Sequence, residues 1–144
     1  MTKITQSLAL RAPGFSRNAK DDELPNEFMS GHALAARVRK YLHQRRYTET
    51  ELVAEDYGWH LYGYPQNSTL RCEVVFSSLT DPDAPISDIV ELYVSVEPTR
   101  GTTGILFWKK DISEDVRRHS ALVFDFLRKL DGIEVLEDTE AELS

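Results

Sequence analysis

The chain has 144 residues, of which 41% are hydrophobic and 28% are charged, and its formal net charge is −7. A chain of this length can bury one hydrophobic core, and its acidic balance disfavours non-specific nucleic-acid binding. No apolar run approaches the roughly 20 residues that span a bilayer. The single cysteine, Cys72, cannot form an intramolecular disulfide. We therefore expect a soluble protein in a reducing compartment, the cytoplasm.

The N-terminal segment shows neither helical nor strand periodicity. We interpret residues 1–27 as a flexible N-terminal arm, residues 28–136 as a single α+β domain and residues 137–144 as an acidic tail. The alternative for the arm is that its apolar side chains pack on the domain or engage a partner. These side chains are Leu8, Leu10 and Phe15.

A first helix is predicted from about residue 30 to residue 46. Apolar side chains recur there at helical spacing from Leu34 to Leu42. Ser30 is a suitable N-cap, because its hydroxyl can accept a hydrogen bond from a backbone N–H of the first turn. Arg45 and Arg46 lie in the last turn, where cations complement the helix dipole.

Alternating apolar and polar residues predict strands in the middle of the chain. The alternation is clear at residues 58–64, 70–77 and 89–97, and each stretch has one apolar face. Residues 105–108 are apolar on both faces and read as a fourth strand. The short links between these strands favour an antiparallel meander, because a parallel pair needs a long crossover.

A second long helix follows. Asp111 is a suitable N-cap, Glu114 stands at the capping-box spacing, and Gly132 suits the residue after the helix. Residues 133–136 are a possible fifth, edge strand. The predicted fold is an α+β two-layer sandwich in which two helices flank an antiparallel four-stranded meander, in the order α-β-β-β-β-α with a possible final β.

No motif for catalysis, metal binding or cofactor binding is found. The histidines are scattered and lack the clustered spacing of metal ligands. Cys72 lies on the predicted inward face of a strand, where a thiol is inert. We therefore predict no cofactor, no metal and no catalytic residues, and an enzyme is the less favoured class. The four histidines are His32, His43, His60 and His119.

The outward face of the predicted sheet is the feature that invites a function. It carries several aromatic side chains that plain solvent exposure does not explain, and this composition is typical of a protein interface. The alternative is that the arm or the C-terminal segment covers this face. The predicted partner-binding residues are His60, Tyr62, Tyr64, Arg71, Tyr93 and Trp108.

The leading prediction is a non-enzymatic protein-binding protein: an inhibitor, an immunity protein or a chaperone-like protein. In size and acidity the chain resembles small bacterial immunity proteins and secretion chaperones, a likeness of class that no motif carries. One alternative is a homodimeric module that uses the same face or the edge strand at residues 105–108. Two others are an enzyme with a pocket near His60 and a nucleic-acid binder. The latter would use the basic residues Arg37, Arg39, Lys40, Arg45 and Arg46 of the first helix.

Overall fold

The computed structural model describes residues 2–24, 30–56, 58–68, 71–79, 90–98 and 109–143. These residues form six strands, two α-helices and one short 3-10 helix. In chain order they are β1 (Thr2–Ala12), the 3-10 helix (Ala19–Glu23), α1 (His32–Gln44), β2 (Thr48–Glu55), β3 (Gly58–Tyr64), β4 (Cys72–Ser78), β5 (Val90–Pro98), α2 (Lys109–Lys129) and β6 (Glu134–Leu143).

All six strands belong to one sheet with the order β2-β3-β4-β5-β1-β6, and every neighbouring pair is antiparallel. The predicted α+β class with an antiparallel sheet is confirmed. The number and order of the strands differ from the prediction, because β1 and β2 were not predicted and β6 was predicted only as a possible short edge strand at residues 133–136. The predicted strand at residues 105–108 lies outside the described residues.

The first correction concerns the N-terminus. Residues 2–12, which the sequence analysis assigned to a flexible arm, form β1 between β5 and β6. Leu8 pairs with Val94 and Leu10 with Leu92, and both leucines are fully buried. The alternation of Leu8, Leu10 and Ala12 marks one buried face, but it is too short to predict a strand by itself.

The second correction concerns the two edges of the sheet. Residues of the predicted acidic tail belong to β6, which pairs with β1 along most of its length. The other edge is β2, which pairs with β3 and was not predicted. Both strands carry many charged side chains. Edge strands tolerate such residues, so the hydrophobic alternation that identifies a strand is weak in them.

Both helices pack on the same face of the sheet. The inner side chains of the strands alternate with outer ones, and they form one core with the apolar stripes of α1 and α2. Across neighbouring strands the register places Leu61 opposite Val74 and Phe76 opposite Val94. The largest fully buried side chains are Phe76, Phe124, Leu8, Leu10, Leu34, Leu42, Leu61, Leu92 and Leu127.

The helices begin at residues other than the predicted caps. The N-cap of α1 is Gly31, with φ 129°, and it makes no side-chain capping hydrogen bond. Ser30 instead bonds to β4: its N–H donates to the Ser78 hydroxyl at 2.8 Å, and that hydroxyl donates to its carbonyl at 3.0 Å. α2 begins at Lys109, ahead of the predicted N-cap Asp111.

The capping group of α1 is a buried carboxylate from the 3-10 helix. Asp21 is 0% exposed. Its Oδ1 accepts a hydrogen bond from the His32 N–H at 3.0 Å and from the Trp59 indole at 2.9 Å. Its Oδ2 accepts from the Asn18 N–H at 3.0 Å. One side chain therefore joins the 3-10 helix, the start of α1 and strand β3.

Replacing Asp21 by Ala tests this junction. The change leaves the Trp59 indole and the His32 N–H buried without their acceptor, so we expect the free energy of unfolding to fall by about 3 kcal/mol. Asp22→Ala is the matched control, because Asp22 is an exposed neighbour that pairs only with Arg17 among the described residues. Urea unfolding of both variants measures the difference. A loss of less than about 0.5 kcal/mol for Asp21→Ala contradicts the account.

Candidate functional site

The face of the sheet that points away from both helices is called the outer face below. Its side chains alternate with the core residues along each strand. Within the described residues neither helix lies on this face, since the apolar stripes of both helices pack on the inner side chains. The described side chains of the outer face include Ser7, Ala9, Arg11, Glu51, Val53, Glu55, His60, Tyr62, Tyr64, Glu73, Val75, Ser77, Leu79, Glu91, Tyr93 and Ser95.

A buried polar network lies on the outer face across β3 and β4. The Nδ1 atom of His60 donates to Oε2 of Glu73 at 2.8 Å, and the Tyr62 hydroxyl lies 3.1 Å from the same nitrogen. Burial and a hydrogen bond with Glu73 raise the pKa of Tyr62 to about 12. The Tyr62 hydroxyl therefore stays protonated at neutral pH and donates to the carboxylate.

An arginine covers the outer side of this network. The Arg71 guanidinium lies 4.2 Å from the centroid of the Tyr62 ring, a cation–π arrangement. The same guanidinium reaches Glu51 on the edge strand β2 at 3.2 Å. The network is thus built from side chains of the adjacent strands β2, β3 and β4, together with the residue that precedes β4.

Two exposed apolar side chains lie on the outer face away from this network. Tyr93 is 40% exposed and pairs with Ala9 on one side and Ser77 on the other. Leu79 is 43% exposed, and its N–H donates to the Glu91 carbonyl at 3.0 Å. This register places Leu79 and Tyr93 in adjacent rows of the same face. The small side chains beside Tyr93 leave its ring accessible.

The structure brings together three of the predicted site residues: His60, Tyr62 and Arg71. Tyr93 lies apart, and Tyr64 is half-buried opposite Thr48 at the end of β3. Trp108 lies outside the described residues. Glu73 and Leu79 were not among the predicted residues, and Leu79 falls after the alternating run of β4.

The outer face is not uniformly accessible. Its central row pairs Ser7 with Ser95, Ser95 with Val75 and Val75 with His60. His60 is only 8% exposed, and Ser7 and Val75 are also buried. Tyr93, Leu79 and Arg71 are therefore more accessible than His60 and Glu73, which hydrogen-bond to each other within the face.

A second buried polar pair joins α2 to the turn after α1. The Tyr47 hydroxyl and Nδ1 of His119 are 2.5 Å apart. Burial lowers the pKa of His119 to about 4, with a smaller opposing effect from the main chain of Glu73. Burial also raises the pKa of Tyr47 above its ordinary value. Both groups are therefore neutral at pH 7, and the phenol donates to the imidazole.

The buried imidazole makes stability depend on pH. The unfolded chain takes up a proton at His119 below about pH 6.5, whereas the folded protein does so only near pH 4. Stability that is present at pH 7 is therefore lost as the pH falls through this window, by about 1.4 kcal/mol per pH unit. His119→Gln keeps an acceptor for Tyr47 but does not titrate. We therefore expect its free energy of unfolding, measured with urea, to change less steeply between pH 7 and pH 4.

The matched control is His43→Gln, which removes an exposed histidine of α1 that bonds to Thr50. The free energy of unfolding of His119→Gln should depend less steeply on pH than that of this variant. If His119→Gln shows the same slope as the wild type, the imidazole is not held neutral by burial and the interpretation of the Tyr47–His119 pair is wrong.

Comparison with known proteins adds no assignment. No family model, no curated protein and no solved structure matches the chain. Among the described residues, no group of three or more His, Cys, Asp or Glu side chains is placed to hold a metal ion. No helix in the described part of the chain is both long and apolar enough to cross a membrane.

Proposed function

We propose that this protein is a non-enzymatic binding protein that recognises another protein through the outer face of its sheet. The observation that carries the proposal is the one-sided packing of the helices. Both apolar stripes are used on the inner face, while the outer face presents Tyr93 and Leu79 at 40% and 43% exposure. Adjacent exposed apolar side chains with a polar border are typical of binding surfaces.

The chemistry of the face indicates how a partner would be held. Tyr93 offers a large rigid ring between the small side chains of Ala9 and Ser77, so an apolar side chain of the partner can pack against it. Arg11 forms the polar border, 3.8 Å from Glu91 and 4.0 Å from Glu134. Inhibitors, immunity proteins and chaperones act by binding another protein in this way, and we propose that the protein is of one of these kinds.

The basic face of α1 gives less support to nucleic-acid binding. Arg39 donates to the Thr50 hydroxyl at 3.1 Å and to the Thr50 carbonyl at 2.9 Å. The Arg37 guanidinium lies 5.0 Å from the centroid of the Phe126 ring. These two arginines hold α1 against β2 and α2, so they are less available to a row of phosphates.

Homodimer formation through a sheet edge is disfavoured by charge. β2 carries Glu49, Glu51 and Glu55, and β6 is still more acidic. Two copies that paired edge to edge would bring like charges together, which is a common protection of edge strands. The predicted dimer contact at residues 105–108 lies outside the described residues. An enzyme pocket near His60 gains no support, because His60 is buried in its network.

The test compares the proteins that the wild type captures from cell extract with those that the double variant Tyr93→Ala/Leu79→Ala captures. We expect a specific partner to be lost with the double variant, because removal of two central apolar contacts costs a typical interface about 2 kcal/mol or more. Leu136→Ala is the matched control, since Leu136 is 50% exposed but lies on the edge strand β6. It should keep the partner. Thermal unfolding checks that all three proteins are folded.

Two results would count against the proposal. Identical sets of captured proteins for the double variant and the wild type would show that the outer face is not the binding surface. A protein lost equally from Leu136→Ala and from the double variant would show a general effect of removing surface apolar area.

A further inference from the structure

A polar pocket lies on the other side of the molecule from Tyr93. It has a volume of about 390 Å³ and lies between the end of α1, the turn after β3 and the middle of α2. None of its described lining residues lies on the outer face. The described lining residues are Gln44, Arg45, Arg46, Tyr47, Pro65, Gln66, Ser68, Arg118, His119 and Leu122.

The charge of this pocket is opposite to that of the chain. Three arginines, Arg45, Arg46 and Arg118, line it, and the described lining residues include no carboxylate. All three arginines are exposed, although the formal net charge of the protein is −7. A positive concave surface on an acidic protein concentrates anions, and guanidinium groups match the oxygens of phosphate.

The backbone of Arg46 ends α1 in a left-handed conformation. Its φ is 65°, the left-handed conformation that favours glycine at the end of a helix. The Arg46 N–H donates to the His43 carbonyl at 3.0 Å, and the Tyr47 N–H donates to the Leu42 carbonyl at 2.9 Å. This Schellman motif satisfies the carbonyls of Leu42 and His43 at the end of α1. Glycine would complete the motif with less strain, so Arg46 can be replaced by glycine without loss of the helix end.

The remaining walls indicate what accompanies the anion. Leu122 and Pro65 supply apolar surface, and Gln66 and Ser68 supply amide and hydroxyl groups. The volume falls within the range of about 300–1,000 Å³ that is typical of small-molecule sites. We propose that this pocket binds a phosphorylated small molecule, with Arg45, Arg46 and Arg118 holding the phosphate and the apolar walls contacting its carbon skeleton.

Calorimetric titration with inorganic phosphate and with ribose 5-phosphate tests the site, and ribose serves as the uncharged probe. Both phosphate probes should bind saturably, ribose 5-phosphate more tightly, and ribose should not bind. In ¹⁵N spectra the amides of Arg46, Tyr47 and Ser68 should shift, while the amide of Tyr93 should not. The unmoved Tyr93 amide separates this site from the proposed protein-binding face, so either proposal can fail alone.

Arg46→Gly and Arg118→Ala should each weaken binding of ribose 5-phosphate by about tenfold or more, because each removes a charged hydrogen-bond donor. Arg46→Gly removes the left-handed strain as well, so its melting temperature should equal or exceed that of the wild type. Loss of binding in this variant therefore does not reflect unfolding. Lys40→Ala is the control: it removes an exposed positive charge of α1 outside the pocket and should change binding less than about twofold.

Three results would overturn the proposal. The first is that neither phosphate probe binds saturably at about 10 mM, a concentration at which even a weak specific site fills. The second is that Lys40→Ala loses as much binding as Arg46→Gly, which would mean that binding depends only on the positive charge of the surface. The third is that a single-stranded oligonucleotide displaces ribose 5-phosphate and binds far more tightly, which would make the pocket part of a nucleic-acid surface.

Discussion

The architecture depends on the buried carboxylate of Asp21. It satisfies the N–H at the start of α1 and the indole of Trp59 on β3 at the same time. Because Asp21 follows β1 in the chain, this junction ties the N-terminal strand to the helix layer and to the sheet. A polar group is tolerated in the interior only when it is well hydrogen-bonded, so the three donors around Asp21 fix its position closely. The apolar stripe of α1 packs on the inner face, and this junction fixes where the helix begins.

The sequence predicted the elements whose patterns are strong and failed where the pattern was short or masked by charge. The helices and β3, β4 and β5 have apolar residues at regular spacing, because one face of each is buried. β1 has only three alternating core residues in the described register. β6 has acidic residues on both faces, since an edge strand next to β1 is largely exposed. Its pairing with β1 is a long-range contact that a local pattern does not contain.

The candidate sites, too, could be predicted only where a local sequence pattern was enough. Alternation along β3 placed His60 and Tyr62 on one face before the structure was known. Their bonds to Glu73 required the register between β3 and β4, which the sequence does not state. Tyr47 and His119 are 72 residues apart, so only the packing of α2 beside the end of α1 brings them together. The arginine pocket likewise combines three separate segments, and the basic cluster at the end of α1 was its only signal in the sequence.

β1 lies in the interior of the sheet, between β5 and β6, and this placement is the main departure from the fold that the sequence predicted. Amide hydrogen exchange at residues 7–12 tests it most directly. These amides lie in a strand that pairs with β5 on one side and β6 on the other, so they should exchange as slowly as the amides of β4. Exchange at the rate of an unstructured peptide would contradict the account, because the N-terminal segment would then be a flexible arm and β6 would have no partner.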